Sequence, residues 1–193
     1  EVKRKWLTEH GSLEGRRQGL EMTITTHEGL THGSRAVLEA AKQGLLPDVY
    51  VPVGEAIEVE ADYALAIETA LGHAANDLIC PHGDDAKAAI RLLKESQLGR
   101  ATFQPIPLMR PVQADLREVL GKVGVVGRAN ELVQCAAAHR PVVDSLLGRI
   151  VVVETLEDAL ALSRTNGWSR LVTLDGELVH RSEEHTSELQ SRV

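Results

Sequence analysis

VPVGEAIEVEADYALAIETALG (Val51–Gly72) and GRANELVQCAAAHRPVVDSLLG (Gly127–Gly148) are one pattern written twice. A shift of 76 positions (127 − 51) lays the second on the first without a gap: Glu55 falls on Glu131, Ile57 on Val133, Tyr63 on His139, Ile67 on Val143 and Leu71 on Leu147. Further along, the shift shrinks to 73, where Ile79 meets Val152 and Asp85 meets Asp158. It ends at 70, where Arg100 meets Arg170 and Thr102 meets Val172. Each copy reads strand, helix stopped by glycine, apolar strand, amphipathic helix, short strand. Two copies predict a pair of pseudo-symmetric lobes; a stacked solenoid needs at least three. The fold class expected is α+β, with short mixed sheets and packed helices in each lobe.

Working outward, the local signals place the elements. Ser34 predicts an N-cap for a helix through Gln43, stopped by Gly44, and Pro47–Val53 is extended. Ala61–Leu71 is a helix with Ala64, Ile67, Ala70 and Leu71 on one face. Leu78–Cys80 is a buried strand, Asp84 caps the next helix, and Ala101–Phe103 is a strand. Pro105, Pro107 and Pro111 break all periodicity and mark the boundary between lobes, bridged by a helix from about Val112 to Leu120. In the second copy, Val123–Val126 is a strand and Pro141 opens a helix. Ile150–Val153 is four β-branched residues in a row, hence a buried strand. Thr155 and Asp158 form a capping pattern for a helix through Arg164. Arg170–Leu174, the turn Asp175-Gly176 and Glu177–Val179 predict a hairpin.

The resulting division is a helical, coiled-coil or disordered stub over 1–33, lobe one over 34–104, a Pro-rich linker and helix over 105–122, and lobe two over 123–180. In the stub, Trp6, Leu13 and Leu20 keep heptad spacing, but Gly11, Gly15 and Gly19 each cost a helix about 1 kcal/mol. Arg181–Arg192 reads RSEEHTSELQSR, and sequencing-adapter DNA encodes RSEEHTSELQS in one frame. Residues 181–193 are therefore set aside as artefact.

Composition narrows the function. The 193 residues carry a net charge of −7, which argues against a surface that binds nucleic acid everywhere. Two distant cysteines make no disulfide framework, so a reducing cytoplasm is expected. No apolar run approaches the roughly 18 residues that span a bilayer, and no membrane role is expected.

Candidate chemistry is thin. Gly121, Gly124 and Gly127 give G-x-x-G-x-x-G, which has neither Rossmann spacing nor a following GK[ST]; close packing is the better account. His73, Cys80 and His82 fall short of a four-ligand zinc set. Asp84-Asp85 and Glu157-Asp158 sit in first helical turns, where acids favour the helix dipole. Ser145 lies in D-S-L, outside any nucleophile elbow. No catalytic, cofactor or metal residue is assigned. Arg100, Arg110, Arg117, Lys122 and Arg128 surround the linker and are candidate DNA contacts or, equally, a solvated, ion-paired face.

Tyr63–Ile106 resembles the first lobe of the hinge domain of structural maintenance of chromosomes (SMC) proteins, of bacterial type. GVVGRANELV (Gly124–Val133) and the stretch from Leu146 to Val179 resemble its second lobe; Ser34–Gly44 resembles the entry of its coiled coil. LGRATF (Leu98–Phe103) and LVTLDGE (Leu171–Glu177) are the most specific runs. The resemblance implies a non-catalytic dimerisation module in the arm of a chromosome-segregating ATPase. Heads and kleisin-type partners would belong to the full-length protein only. Lobe one of one copy pairs with lobe two of the other, and the region can contact DNA. Short-stranded lobes leave open sheet edges that suit such pairing. The candidate interface residues are Tyr50, Val51, Val53, Gly124, Gly127, Leu171, Val172, Thr173 and Leu174. In the family, a glycine-rich interface segment follows LVTLDGE. Here the adapter-like tail takes its place, so weak or absent dimerisation is expected, and the return coil is missing.

Overall fold

The computed structural model describes residues 30–111 and 115–181. Most of the expected stub, the start of the bridging helix and all of the adapter-like tail except Arg181 lie outside these residues.

The repeat governs the architecture. Helix α1 (His32–Lys42) opens lobe one, followed by β1 (Val51–Pro52) and β2 (Ile57–Val59). Next come α2 (Ala64–Leu71), β3 (Leu78–Cys80), α3 (Gly83–Glu95) and β4 (Phe103–Pro105). Lobe two holds α4 (Arg117–Leu120), β5 (Val125–Arg128), β6 (Val133–Cys135) and α5 (Arg140–Leu147). It ends with β7 (Ile150–Val153), α6 (Leu156–Leu162), β8 (Arg170–Thr173) and β9 (Leu178–His180). Helices α2 and α5 start 76 residues apart (140 − 64), and α3 and α6 start 73 apart (156 − 83), the two shifts read from the sequence. Registers agree too. Val51 pairs with Ile79, and its mate Gly127 pairs with Val152.

The last strand is corrected by two residues. Leu78 pairs with Phe103, and its mate Val151 pairs with Leu171, so Phe103 corresponds to Leu171, a shift of 68 (171 − 103). Strand β4 accordingly runs Phe103–Pro105, later than the expected Ala101–Phe103. Gly99 turns the chain at φ +89°, and the backbone of Arg100 is then packed against Gly33, delaying entry into the sheet.

Other boundaries move for local reasons. Thr31, not Ser34, caps α1; the Ser34 hydroxyl is buried and donates to Asn76 O at 2.9 Å. Asp85, not Asp84, completes the cap of α3 by accepting from the His82 N–H at 3.0 Å, while Asp84 pairs with Lys87. Thr155 caps α6 as expected, accepting from Asp158 N–H. The hairpin loop is three residues long. Thr173 N–H donates to Glu177 O, and Gly176 takes φ +82°, the geometry of a type I turn closed by a bulge.

Five layers result. The outer core of lobe one joins α1 (Val37, Ala41) and α3 (Ala89, Leu93) to Leu78 and Cys80 of β3. That of lobe two joins α4 (Val119) and α6 (Ala159, Leu162) to Val151, Val153 and Leu171. Between the sheets lies a third cluster that draws on both lobes: Ile67 and Leu71 of α2, Val143 and Leu147 of α5, with Ile79, Val152 and Val172. Both sheets are therefore covered on both faces, which is why β7 is an unbroken β-branched run. The Pro-rich link joins the lobes in sequence, and this shared core joins them in space.

Candidate dimerisation interface

Open strand edges are the feature on which self-association would act. The lobe-one sheet runs β1-β3-β4 and the lobe-two sheet runs β5-β7-β8-β9. By the repeat, β1, β3 and β4 match β5, β7 and β8, with antiparallel then parallel pairing in both. Strand β9 has no counterpart among the described residues of lobe one. Beside β8 stands β9; beside its mate β4 no strand stands among the described residues.

The hydrogen-bond alternation says which groups face outward. Thr173 N–H donates to Glu177 O, and Arg181 N–H donates to Ser169 O at 3.2 Å. Between those bonded pairs, Leu178 and His180 occupy non-bonded positions opposite Val172 and Arg170. The backbone polar groups of Leu178 and His180 therefore point away from β8, into solvent. Leu178 is 46% exposed. On β4, Leu78 N–H donates to Thr102 O, so Thr102 and Gln104 face β3, and Phe103 and Pro105 face the open side. Pro105 then removes no bond from the ladder, which is how a proline sits in this strand.

The expected interface residues divide. Val51 lies on β1 and Gly127 on β5, both edge strands, and Gly124 immediately precedes β5. Tyr50 and Val53 are core residues. Tyr50 is buried edge-on against Phe103 (centroids 6.1 Å apart), and its hydroxyl donates to Asp85 O at 2.9 Å. Burial pushes the Tyr50 phenol up to about 12 and the Cys80 thiol up to about 11, Asp85 adding to both. Leu171, Val172 and Thr173 are corrected: β8 is hydrogen-bonded on both sides and all three are buried. Leu174 is half-buried against the shared core. The outer strand of this sheet is β9, which carries Leu178 and His180; the turn at Asp175-Gly176 is the signal for it, since a hairpin's returning strand lies outside its partner.

The glycines now have a structural account. A Cβ on Gly124 (φ +79°) would strike the Asp158 carboxylate, and its carbonyl accepts from Glu154 N–H at 2.8 Å. Gly127 follows a bulge at Val126. Close packing therefore accounts for Gly124 alone of G-x-x-G-x-x-G: a Cβ on Gly127 would make ordinary contact with Leu132, and one on Gly121 would meet nothing.

Of the candidate DNA contacts, Arg117 and Arg128 share the neighbourhood of the Asp115 carboxylate. Arg100 lies beside Gly33 at the start of α1. The Arg110 guanidinium donates to Pro107 O and Met109 O, both at 3.3 Å. Arg117 forms a two-point ion pair with Asp115, holding that carboxyl down at about 2. Arg128 is half-buried, 3.8 Å from Glu131. Lys122 is exposed. Cys80 is buried, and no group of three or more metal-ligating side chains occurs among the described residues. Among those residues, too, no helix is long and apolar enough to cross a membrane.

Two clefts of about 340 and 410 Å³ flank the β2–β6 ribbon. Tyr63, Glu131 and Leu132 line one, and their mates His139, Glu55 and Ala56 line the other. They are repeats of one surface feature, and Cys135 and His139 both line the second.

Comparison with known proteins agrees with this geometry. The family model of the SMC proteins' flexible hinge domain matches residues 46–163. The chromosome partition protein Smc of Lactiplantibacillus plantarum is 33% identical over 190 residues, covering 94% of this chain and 16% of that protein. Its namesake in Bacillus subtilis is 34% identical over 165 residues, covering 83% of this chain and 14% of that protein. Among solved structures, an asymmetric dimer of the Geobacillus stearothermophilus SMC hinge domain superposes with a TM-score of 0.81 at 34% identity, covering 90% of this chain and 69% of that one. A Pyrococcus furiosus Smc hinge domain with an extended coiled coil gives 0.67 at 29% identity, covering 94% and 66%. The chain spans about a sixth of the length of the curated relatives, and over that span it belongs to the family of SMC flexible hinge domains.

Proposed function

We propose that this chain joins two copies of a chromosome-partition protein, in the cytoplasm and on the chromosome, by pairing sheet edges. The open side of β4 in one copy receives β9 of the other, and twofold symmetry repeats the contact, closing a dimer with two equivalent joints. The single observation that carries this is the missing fourth strand: lobe two has β9 beside β8, and lobe one has nothing described beside β4. Outward Leu178 and His180 backbone groups on β9, and those of Phe103 on β4, supply donors and acceptors for antiparallel pairing. The ATP-driven heads and further subunits of the longer protein would act through arms attached to this joint.

Edges of three residues offer few hydrogen bonds, so association of this chain alone is weak, with a Kd on the order of 100 μM. Sedimentation equilibrium over a concentration series tests it. A reversible monomer–dimer equilibrium is expected, and a monomer at every concentration up to about 1 mM would overturn the reading.

A further inference from the structure

Strands β2 and β6 are repeat mates, and they pair with each other. Glu58 stands opposite Gln134, and 134 − 58 = 76, the repeat shift itself. The local twofold axis of the whole chain therefore passes through this one pair. Ile57 opposite Cys135 and Val59 opposite Val133 are the same contact seen from its two sides.

The core repeats that arrangement at larger scale. Fourteen buried residues form the central cluster, six from the first repeat and eight from the second. Helix α2 of lobe one lies against β8 of lobe two, with Leu65 and Thr69 at the Gly176 turn. The inward face of each sheet, Ile79 in one and Val152 and Val172 in the other, borders this common cluster. Burying one such side chain stabilises by roughly 1.5–3 kcal/mol, so the shared core outweighs anything a seven-residue Pro-rich link contributes (Pro105–Pro111).

From this we infer that the two lobes are one mechanical body, clasped at the β2–β6 ribbon, and that they neither splay apart nor unfold separately. Whatever bending this hinge family undergoes occurs between copies or where the arms attach, not within the chain. The inference concerns the single chain and stands apart from the self-association reading.

Native Cys135 provides the test. Ile57→Cys places a second thiol directly opposite it, and opposed Cα atoms in an antiparallel pair, 4.5 or 5.5 Å apart, are within disulfide range. Oxidation with diamide is expected to close the bridge in nearly every molecule and to keep unfolding a single transition. Native-state hydrogen exchange on the unmodified chain is the companion measurement: β3 and β7 are expected to share one opening free energy at every protein concentration. Two resolved unfolding transitions, separate opening of β3 and β7, or a bridge that closes in only a minority of molecules would each overturn the inference.

Discussion

Gly33 shows how much one hydrogen can decide. It is the second residue of α1, where alanine would gain about 1 kcal/mol of helix propensity. A Cβ there would overlap the Arg100 carbonyl oxygen, which is backbone and does not swing aside. Overpacking of this kind costs about 1–3 kcal/mol. Gly33→Ala is therefore expected to lower stability by about 2 kcal/mol in urea unfolding. A stabilised variant would show that α1 is not seated against that loop. Alkaline pH probes the same core from the other side. Unfolding frees the Tyr50 phenol and the Cys80 thiol to lose protons from their ordinary values of 10 and 9, while the folded chain holds them to about 12 and 11. Each proton that only the unfolded chain releases favours unfolding. Stability is therefore full below about pH 9 and falls between 9 and 12. Tyr50→Phe is expected to make the decline shallower between 10 and 11, where Cys80 still contributes, and to remove it between 11 and 12; an unchanged pH profile would contradict the burial of that hydroxyl. At this scale the sequence was partly legible. Thr31 and Ser34 are both good caps, and only the fold decides which hydroxyl is buried.

At the scale of elements, periodicity did most of the work. The stripe of α2 holds at Ile67, Ala70 and Leu71, with Ala66 buried and Ala64 exposed, and the β-branched run of β7 is buried throughout. What periodicity does not encode is which surface a face meets. Ile150–Val153 announces burial on both sides, but nothing in IVVV says that Ile150 and Val152 face a core shared with lobe one while Val151 and Val153 face α6. The same gap put Leu171–Leu174 among the expected edge residues: they read as a strand, and the hairpin loop of three residues makes β8 an interior strand of its sheet. Ile150→Ala is expected to cost about 2–5 kcal/mol in denaturant titrations, whereas Leu45→Ala, at a residue 66% exposed, is expected to stay within about 0.5 kcal/mol. Equal losses at the two sites would refute the layer assignment.

For the whole molecule, the repeat was visible in the sequence and its closure was not. Two lobes separated by prolines suggest two bodies; the central cluster makes them one. Charge also reads differently in three dimensions. Of the five cations around the linker, Arg117 is engaged by Asp115 and Arg128 lies by Glu131. Arg100, Arg110 and Lys122 remain the exposed ones without a carboxylate described beside them. Any DNA association through them is expected to show a slope of log Kd against log salt no steeper than about 3, measured by fluorescence anisotropy. A slope of about 5 or more would reveal a basic surface that the placement of these side chains does not provide.

The central claim is that an outward edge, not a site, does the work, and β9 offers a clean cut. Leu178 N–H makes no bond to β8, so Leu178→Pro removes an edge donor while leaving the β8–β9 ladder whole. Sedimentation equilibrium of Leu178→Pro beside the unmodified chain, with circular dichroism and Tm as controls, is the most direct measurement. A folded chain whose dimer affinity falls at least tenfold is predicted; a folded variant that associates as tightly as the unmodified chain would contradict the account.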